Sequence, residues 1–333
     1  MRLLLPTSHS SDRQIHLIFE YGKGLTFGAV KTSRANRFIL TFDEGNAYSS
    51  AAEPLQRHFQ EKGYPDLFVS SGWNLLESLP APQRYERLTE LLEILAAIGE
   101  RTITHVEFAS MSDRRLISKM VSTVFRSVDS AGFNEQELAD ILERLESRAG
   151  EQTASTFDIS SLRKAASPPL VASALKALVR AALLTAADGG ARFVSRLHFH
   201  SLPFHMIAII CLHGDANKQQ VWSVGAQWRS VAAGASTASY RACSVDGREL
   251  RDVDIERIAP LQFRVGDGIG AHRVTVNASK PVASWTEDFE DSDNNVAGNI
   301  TFFYTPVLVC RAPVRTVGLG DAISAAGLSR SVV

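Results

Sequence analysis

The apolar residues of the chain fall into β-rich runs and into runs with helical spacing. Near the N-terminus, residues 15–21 and 36–43 are β-rich, and the glycine-containing segment between them predicts an antiparallel pair. From about residue 50, strands alternate with helices. The predicted strands are 65–72, 102–110 and 192–200, followed by β-rich pieces in the last third; the predicted helices are 83–99, 134–147, 170–187 and 217–243, and 114–128 begins as a helix and runs towards a strand.

This alternation predicts an α/β fold, with a mostly parallel sheet covered by helices. Ligands of such sheets bind at the carboxyl ends of the strands. The Ser-, Ala- and Pro-rich segment 149–169 is interpreted as a surface excursion, and the acidic segment 287–295 as a solvated loop between two strands.

The composition narrows the class of protein. The 333 residues are 45% hydrophobic and 21% charged, which predicts one large domain or one domain with a smaller attachment. A net charge of −1 favours neither nucleic acid nor an anionic membrane as partner. No run of about 18 apolar residues predicts a membrane-spanning segment. The three cysteines form no CxxC pair, which argues against a zinc site.

The sequence TVGLGDAIS, residues 316–324, permits two interpretations. Glycines before a helix let backbone N–H groups converge on an anion. Aspartate is also a preferred N-cap, so Asp321 could instead cap an ordinary helix.

Two glutamates are candidates for chemistry. Asn134 and Glu137 have the spacing of a capping box, and Glu137 could alternatively help to hold a divalent cation. Glu107 lies within an otherwise apolar strand and therefore needs a partner, either an arginine or lysine or a metal.

Three histidines and one arginine leave further alternatives open. His198 and His200 project from the same face of a strand, with His205 nearby. Metal binding is conceivable, but no third ligand has suitable spacing, so hydrogen-bonded histidines lining a cleft are favoured. Arg37 could bind a phosphate bidentately or be an ordinary strand-surface residue.

Taken in order, several blocks of the chain resemble the ADP-dependent glucokinase family, and its animal-type members most closely. The resemblance spans residues 15–328; its blocks include HLIFEY, ANRFI, HVEFASM, GFNEQEL, RLHFHSL and RTVGLGDAIS. It implies a ribokinase-like three-layer core with a β-rich lid. Residues 1–50 would form partial lid strands and an N-terminal remnant, and residues 51–333 the nucleotide-binding core.

The resemblance also implies a reaction. The family transfers the β-phosphoryl group of ADP to the 6-hydroxyl of glucose with magnesium, giving AMP and glucose 6-phosphate. The implied roles are a catalytic base, an anion hole, nucleotide contacts and magnesium-associated acids. Asp321 would be the base, and the amides of Gly318, Leu319 and Gly320 would form the anion hole. Arg37 and, more loosely, Asn277 would contact the nucleotide. Glu107, Glu137 and Asp321 would be the magnesium-associated acids.

One feature departs from the family pattern. Members carry a long segment before HLIFEY, with the first core strands, much of the lid and the sugar contacts, whereas Met1 lies about fourteen residues before that block. We therefore expect a truncated product, and two alternatives stay open: a non-catalytic nucleotide-binding fragment, or a kinase for another acceptor such as fructose 6-phosphate.

The resemblance carries expectations about the cell as well. It implies a location in the endoplasmic reticulum, a monomeric state and a possible Cys243–Cys310 disulfide. The first fourteen residues contain only a three-leucine run, too short for a signal peptide, which predicts a cytosolic protein if the chain is complete.

Overall fold

A computed structural model describes residues 15–21, 24–32, 36–42, 44–149, 158–186, 193–212, 221–243, 255–266, 271–291, 296–311, 313 and 318–331. The strands are β1 (Ile15–Tyr21), β2 (Thr26–Phe27), β3 (Val30–Lys31), β4 (Asn36–Phe42), β5 (Leu67–Ser70), β6 (Ile103–Glu107), β7 (Ser130–Phe133), β8 (Arg196–His200), β9 (Phe204–Leu212), β10 (Ile255–Glu256), β11 (Gln262–Val265), β12 (His272–Thr275), β13 (Ala283–Asp291), β14 (Val296–Pro306) and β15 (Val309–Cys310). The helices are α1 (Glu44–Ala47), α2 (Ala52–Lys62), α3 (Ala81–Gly99), α4 (Arg114–Ser127), α5 (Glu135–Ala149), α6 (Ile159–Ala165), α7 (Pro168–Ala186), α8 (Val224–Cys243) and α9 (Leu319–Leu328), with a 3₁₀ helix at Trp73–Ser78.

Seven strands form the central sheet, in the order β13-β14-β9-β8-β7-β6-β5. Strands β5 to β8 are parallel, whereas β9, β14 and β13 add on in antiparallel fashion. The sheet is therefore mixed: β14 runs in the same direction as β5 to β8, and β9 and β13 run in the opposite one. The reason is local: only residues 201–203 join β8 to β9, and a parallel crossover needs a dozen or more residues.

Helices cover both faces of this sheet, so the α/β prediction is confirmed. Strand β9 shows the division, because successive side chains point to opposite faces. Met206, Ala208 and Ile210 belong to the large core that includes α3, α4, α5 and α7. Ile207 and Ile209 pack instead with Val231 of α8.

The predicted pair of N-terminal strands is confirmed. Strand β1 pairs antiparallel with β4 from Ile15–Phe42 to Tyr21–Asn36. Ile18, Phe19, Phe38 and Leu40 remain between 45% and 60% exposed. The division of the chain at residue 50 stays a prediction.

Two segments interpreted as surface loops contain regular structure. Within 149–169, Asp158 accepts a hydrogen bond from Ser160 N at 2.9 Å and begins α6, whose Leu162 is fully buried. Residues 150–157 lie outside the described part. Within 287–295, residues 287–291 belong to β13, where Phe289 is buried and Glu287 binds Lys176 at 2.6 Å. Alternating burial, with a paired carboxylate, lets an acidic run form a strand.

A disulfide joins Cys243 at the end of α8 to Cys310 of β15, with 5.6 Å between their Cα atoms. This agrees with the pairing that the resemblance implied. Among the described helices, none has the length and apolarity needed to cross a membrane.

Candidate active site

The start of helix α9 is a half-buried turn that precedes the exposed Asp321. Gly318 is its N-cap, with φ 67° and ψ 24°, a left-handed conformation that glycine adopts at little cost. Leu319 and Gly320 begin the helix, and Gly318 has no side chain with which to cap it. The first N–H groups of a helix have no intrahelical acceptor and attract anions. The turn therefore has the chemistry of the predicted anion hole.

Asp321 lies in the first turn of α9 and is exposed. The alternative in which Asp321 caps the helix is wrong, because Gly318 occupies that position. A Cβ added to Gly318 would lie 3.6 Å from Asp321 Oδ2, so the carboxylate curls over the turn. It is placed to accept a proton beside the amides.

Glu107, at the end of β6, is buried and has three hydrogen-bond partners. His200 Nε2 lies 2.5 Å from its Oε1, while His105 Nε2 lies 3.0 Å from Oε2 and Ser324 Oγ donates to Oε2 at 2.7 Å. Its charged partner is thus a histidine rather than the expected arginine or lysine. Through Ser324, the contact joins the sheet to helix α9.

A glycine makes the Glu107–His200 contact possible. Strand β7 lies between β6 and β8, and its Gly132 pairs with Glu107. A Cβ at Gly132 would lie 2.9 Å from Glu107 Cδ, so the Glu107 carboxyl group would have to move away from its present position. The missing side chain lets Glu107 reach His200 over the intervening strand.

A row across three strands orients His105. Arg196 Nη1 donates to Ser130 Oγ at 3.0 Å, and Ser130 Oγ lies 2.8 Å from His105 Nδ1. Since the ionised Glu107 can only accept, the proton of the neutral His105 ring resides on Nε2, and Nδ1 accepts the Ser130 proton. Burial lowers the pKa of His105, which keeps the ring neutral.

The pKa of Glu107 is lowered and that of His200 is raised. Burial opposes ionisation of Glu107, but the His200 charge and the two histidine hydrogen bonds outweigh it and hold the pKa of Glu107 far below its usual range. Burial likewise opposes protonation of His200, but Glu107, Glu137 and Asp321 raise its pKa above the ordinary value. The pair is therefore an ion pair, and all three predicted acidic residues converge electrostatically on His200.

The predicted capping box at the start of α5 is confirmed. Asn134 Oδ1 accepts from Glu137 N at 3.0 Å, and Glu137 Oε2 accepts from Asn134 N at 3.0 Å. Burial raises the pKa of Glu137 to about 7 despite the hydrogen bonds from Asn134, and Glu107 adds to the rise. Ser110 Oγ lies 3.5 Å from Glu137 Oε1.

The donor set fits magnesium only in part. Both oxygens of Glu107 are occupied by protein donors, so Glu107 does not fit as a direct ligand. In the described part of the chain, no three His, Cys, Asp or Glu residues form a group that could hold a metal ion. Magnesium commonly takes one or two carboxylates, water and substrate phosphates. Glu137 and Asp321 fit that smaller role.

His198 and His205 belong to a buried network instead of a cleft. His198 Nε2 lies 3.0 Å from His205 Nδ1, and His205 Nε2 donates to Val231 O at 2.8 Å. Burial lowers the pKa of both rings, that of His205 to about 3. The interpretation as hydrogen-bonded strand histidines is confirmed, and that of a cleft lining is wrong.

The two predicted nucleotide contacts lie apart from these residues. Arg37 belongs to β4 opposite Glu20, and its side chain is outside the described part. Asn277 follows β12, is exposed, and accepts from Ser279 Oγ and Lys280 N, both at 2.8 Å. It borders a cavity of about 230 Å³ that also has Ala235, Thr305, Pro306 and Leu308 in its wall.

This cavity is close to α9. Leu308 N donates to Ala235 O at 3.1 Å, and the preceding residue, Val307, packs against Ile323 of α9.

Sequence reasoning missed Ser324, Ser130, Arg196 and the role of His105. One signal was available, since His105 and Glu107 are two residues apart on a strand and so share a face. The other contacts depend on the strand order, which no short motif encodes.

Comparison with known proteins decides the family. The sequence model of the ADP-specific phosphofructokinase/glucokinase conserved region matches residues 2–330. The chain belongs to this family. The recognition made from the sequence blocks is therefore confirmed.

The relatives include kinases for different sugars. The chain is 33% identical to an ADP-dependent glucokinase of Bos taurus over 98% of its length, which is 60% of that protein. An ADP-dependent glucose/glucosamine kinase of Pyrococcus abyssi is 24% identical over 97% of the chain and 63% of its own length. The chain thus spans about 60% of the length of these relatives.

Solved structures support the fold. A phosphofructokinase from Pyrococcus horikoshii with AMP aligns with a TM-score of 0.55 and 19% identity, over 95% of this chain and 63% of that one. An ADP-dependent kinase in complex with fructose-6-phosphate and ADPβS aligns with a TM-score of 0.54 and 18% identity, over 98% and 67%.

Proposed function

We propose that this chain carries the phosphoryl-transfer site of an ADP-dependent glucokinase. It would convert glucose and ADP to glucose 6-phosphate and AMP, a step that feeds glycolysis. One observation carries the proposal: the uncapped turn Gly318–Gly320 and the exposed Asp321 lie beside the His200–Glu107 pair. An anion site and a proton acceptor thus share one turn, in a chain of this family.

The chemistry follows from these positions. Asp321 accepts the proton of the glucose 6-hydroxyl as that oxygen bonds to the β-phosphorus of ADP. The bond from the β-phosphorus to the bridging oxygen breaks, and AMP leaves with that oxygen. The amides of Gly318, Leu319 and Gly320 stabilise the charge on the transferring oxygens. Phosphoryl transfer depends chiefly on such positioning and charge neutralisation.

Magnesium, when bound, would supply neutralisation of the phosphate charge. Glu137 and Asp321 would hold it together with water and phosphate oxygens. Glu107 would act behind them through His200, since its own oxygens are occupied.

For the nucleotide, the cavity bordered by Asn277 and Thr305 is our candidate for the adenine, and Arg37 for a phosphate contact. The cavity is partly apolar, as an adenine site requires, and the residue before its Leu308 packs against Ile323 of α9.

The direct test is to incubate the purified chain with magnesium, ADP and glucose and to measure glucose 6-phosphate and AMP. We expect equal amounts of both products, and none with Asp321→Asn. ADP binding without product would instead favour a non-catalytic nucleotide-binding protein. Phosphorylation of fructose 6-phosphate in preference to glucose would favour the other acceptor. Absence of both binding and turnover would overturn the proposal.

We also propose an oxidising compartment, the endoplasmic reticulum, and a monomeric state. The Cys243–Cys310 disulfide supports the compartment, because disulfides persist mainly in oxidising environments. Thiol labelling of these cysteines in the native cell would test the first, and light scattering of the purified chain the second.

A further inference from the structure

Three buried histidines of strands β8 and β9 each face a glycine of helix α8 or α9. A Cβ on Gly320 would lie 3.3 Å from His200 Cε1, and a Cβ on Gly327 would lie 3.2 Å from His198 Cε1. A Cβ on Gly234 of α8 would lie 2.6 Å from His205 Cε1. The glycines have ordinary negative φ values, so they serve close approach rather than an unusual backbone conformation.

Two of these contacts involve the opposite ends of one helix. His200 lies under Gly320 in the first turn of α9, and His198 lies under Gly327 in the last. The two rings are 5.6 Å apart. They are alike in strand, burial and contact with glycine, so they form a natural pair for comparison.

Of this pair, His200 is the histidine that contacts an acidic group of the site. Its Nε2 lies 2.5 Å from Glu107 Oε1, and the other oxygen of Glu107 accepts from Ser324, one turn further along α9. His200 and Ser324 thus fix α9 to Glu107 at two points. His198, by contrast, lies beside another buried histidine, His205, with 3.0 Å between Nε2 and Nδ1.

We propose that His200 is a positioning residue. Its ring is a spacer between Glu107 and Gly320 and thereby fixes the position of the Gly318–Asp321 turn relative to the sheet. The inference rests on the proposed function in one respect, namely that this turn carries the reacting groups. A displacement of the turn by about 1 Å is enough to cost about 100-fold in rate.

The matched variants are His200→Ala and His198→Ala. Each removes a buried ring from under a glycine of α9, so a purely structural role predicts similar losses of Tm and of activity in both. A positioning role predicts that only His200→Ala lowers kcat, by about 100-fold. His198→Ala should lower Tm and leave kcat within about twofold of the unchanged chain.

A third variant, His200→Gln, keeps the test decisive if His200→Ala fails to fold. The glutamine amide can reach Glu107 as Nε2 does, without the ring. We expect it to fold and to recover part of the kcat lost in His200→Ala, with the KM for ADP changed less than kcat. Parallel losses of Tm and kcat in the His200 and His198 variants would overturn the proposal, as would unchanged kcat in both His200 variants.

A second measurement keeps this test separate from the proposed function. In ¹⁵N-labelled protein, His200→Gln should shift the amide signals of Gly318 and Gly320 more than that of Gly327, and His198→Ala should do the reverse. These signals are readable even in a chain that phosphorylates nothing. Equal shifts at both ends of α9 would overturn the positioning role, whereas absent turnover alone would overturn only the function.

Discussion

Each end of helix α9 has a glycine packed on a buried histidine, but the two ends differ in which polar groups they leave available to a ligand. At the N-terminal end, Gly318 leaves the first-turn amides without a side-chain cap, and Asp321 faces solvent. At the C-terminal end, Ser331 is fully buried, and its hydroxyl lies within hydrogen-bonding distance of Gly327 O at 2.9 Å, Ser230 Oγ at 3.0 Å and Gln227 Oε1 at 3.2 Å.

This difference separates binding from stability within one element. Buried polar groups that are satisfied inside the protein stabilise and specify the fold. Uncapped amides and an exposed carboxylate stabilise little by themselves but are available to a ligand. The comparison predicts that substitutions at the N-terminal end affect activity, and those at the C-terminal end affect unfolding.

The largest effect is expected for Asp321→Asn. Loss of the proton acceptor should lower kcat by about 1,000-fold or more, within the range of general base catalysis. Because Asp321 is exposed, the unfolding free energy should change by less than about 1 kcal/mol, mostly through the helix dipole. The measurements are glucose 6-phosphate formation, ADP binding by calorimetry and urea unfolding. Turnover within about tenfold of the unchanged chain would remove Asp321 as the base.

Next in size is Glu107→Gln, which leaves the His200 charge buried without its counter-ion. Removing one partner of a buried ion pair typically costs about 3–5 kcal/mol of unfolding free energy. The matched control is Glu137→Gln: with a pKa of about 7, Glu137 is partly neutral already, so its amide should cost much less. Urea unfolding at neutral pH measures both. Equal losses in the two variants would show that the His200–Glu107 ion pair adds no stability.

The fold was predictable wherever one local signal sufficed. The capping box of Asn134 and Glu137 needs only three residues of separation, and the β1–β4 pair only a glycine-containing connection. The GLGD turn was identified from glycine and aspartate spacing together with the family blocks. In each case the residues that interact are near one another in sequence.

The rest depends on strand order. Glu107 meets His200, 93 residues later, because β6 and β8 flank β7 and because Gly132 has no side chain. The mixed sheet likewise follows from the short β8–β9 connection. Neither feature leaves a periodic signal in the sequence, so His200 and Ser324 could not be deduced from the chain alone as partners of Glu107.

A third prediction concerns acid. His205 has a pKa of about 3 in the folded protein, lowered by burial and by the charges of His200 and Arg196, although its bond to Val231 O opposes this. The unfolded value is about 6.5, so the stabilisation is complete above that pH and is lost as pH falls, by up to about 1.4 kcal/mol per pH unit for each proton. His105 and His198 act in the same direction, whereas His200 and Glu137, whose pKa values are raised, act in the opposite one.

Unfolding free energy measured from about pH 7 to about pH 5 should therefore decrease. His205→Gln keeps a donor for Val231 O but cannot titrate, and it should flatten this dependence. This prediction compares His200, the charged histidine under the N-terminal end of α9, with the neutral His198 and His205. The same pH dependence in His205→Gln and in the unchanged chain would contradict the neutral state of His205.

The smallest and most discriminating effect is expected from two serines of the same segment, Ser324→Ala and Ser331→Ala. Both hydroxyls are buried and hydrogen-bonded, so each substitution should cost about 1–2 kcal/mol of unfolding free energy. Ser324 is the second attachment of α9 to Glu107, and its loss should also lower kcat by about tenfold. Ser331 bonds only at the far end of the helix, and its loss should leave kcat nearly unchanged. If both variants reduced kcat equally, rigidity of the whole helix, rather than its attachment to Glu107, would govern the turn.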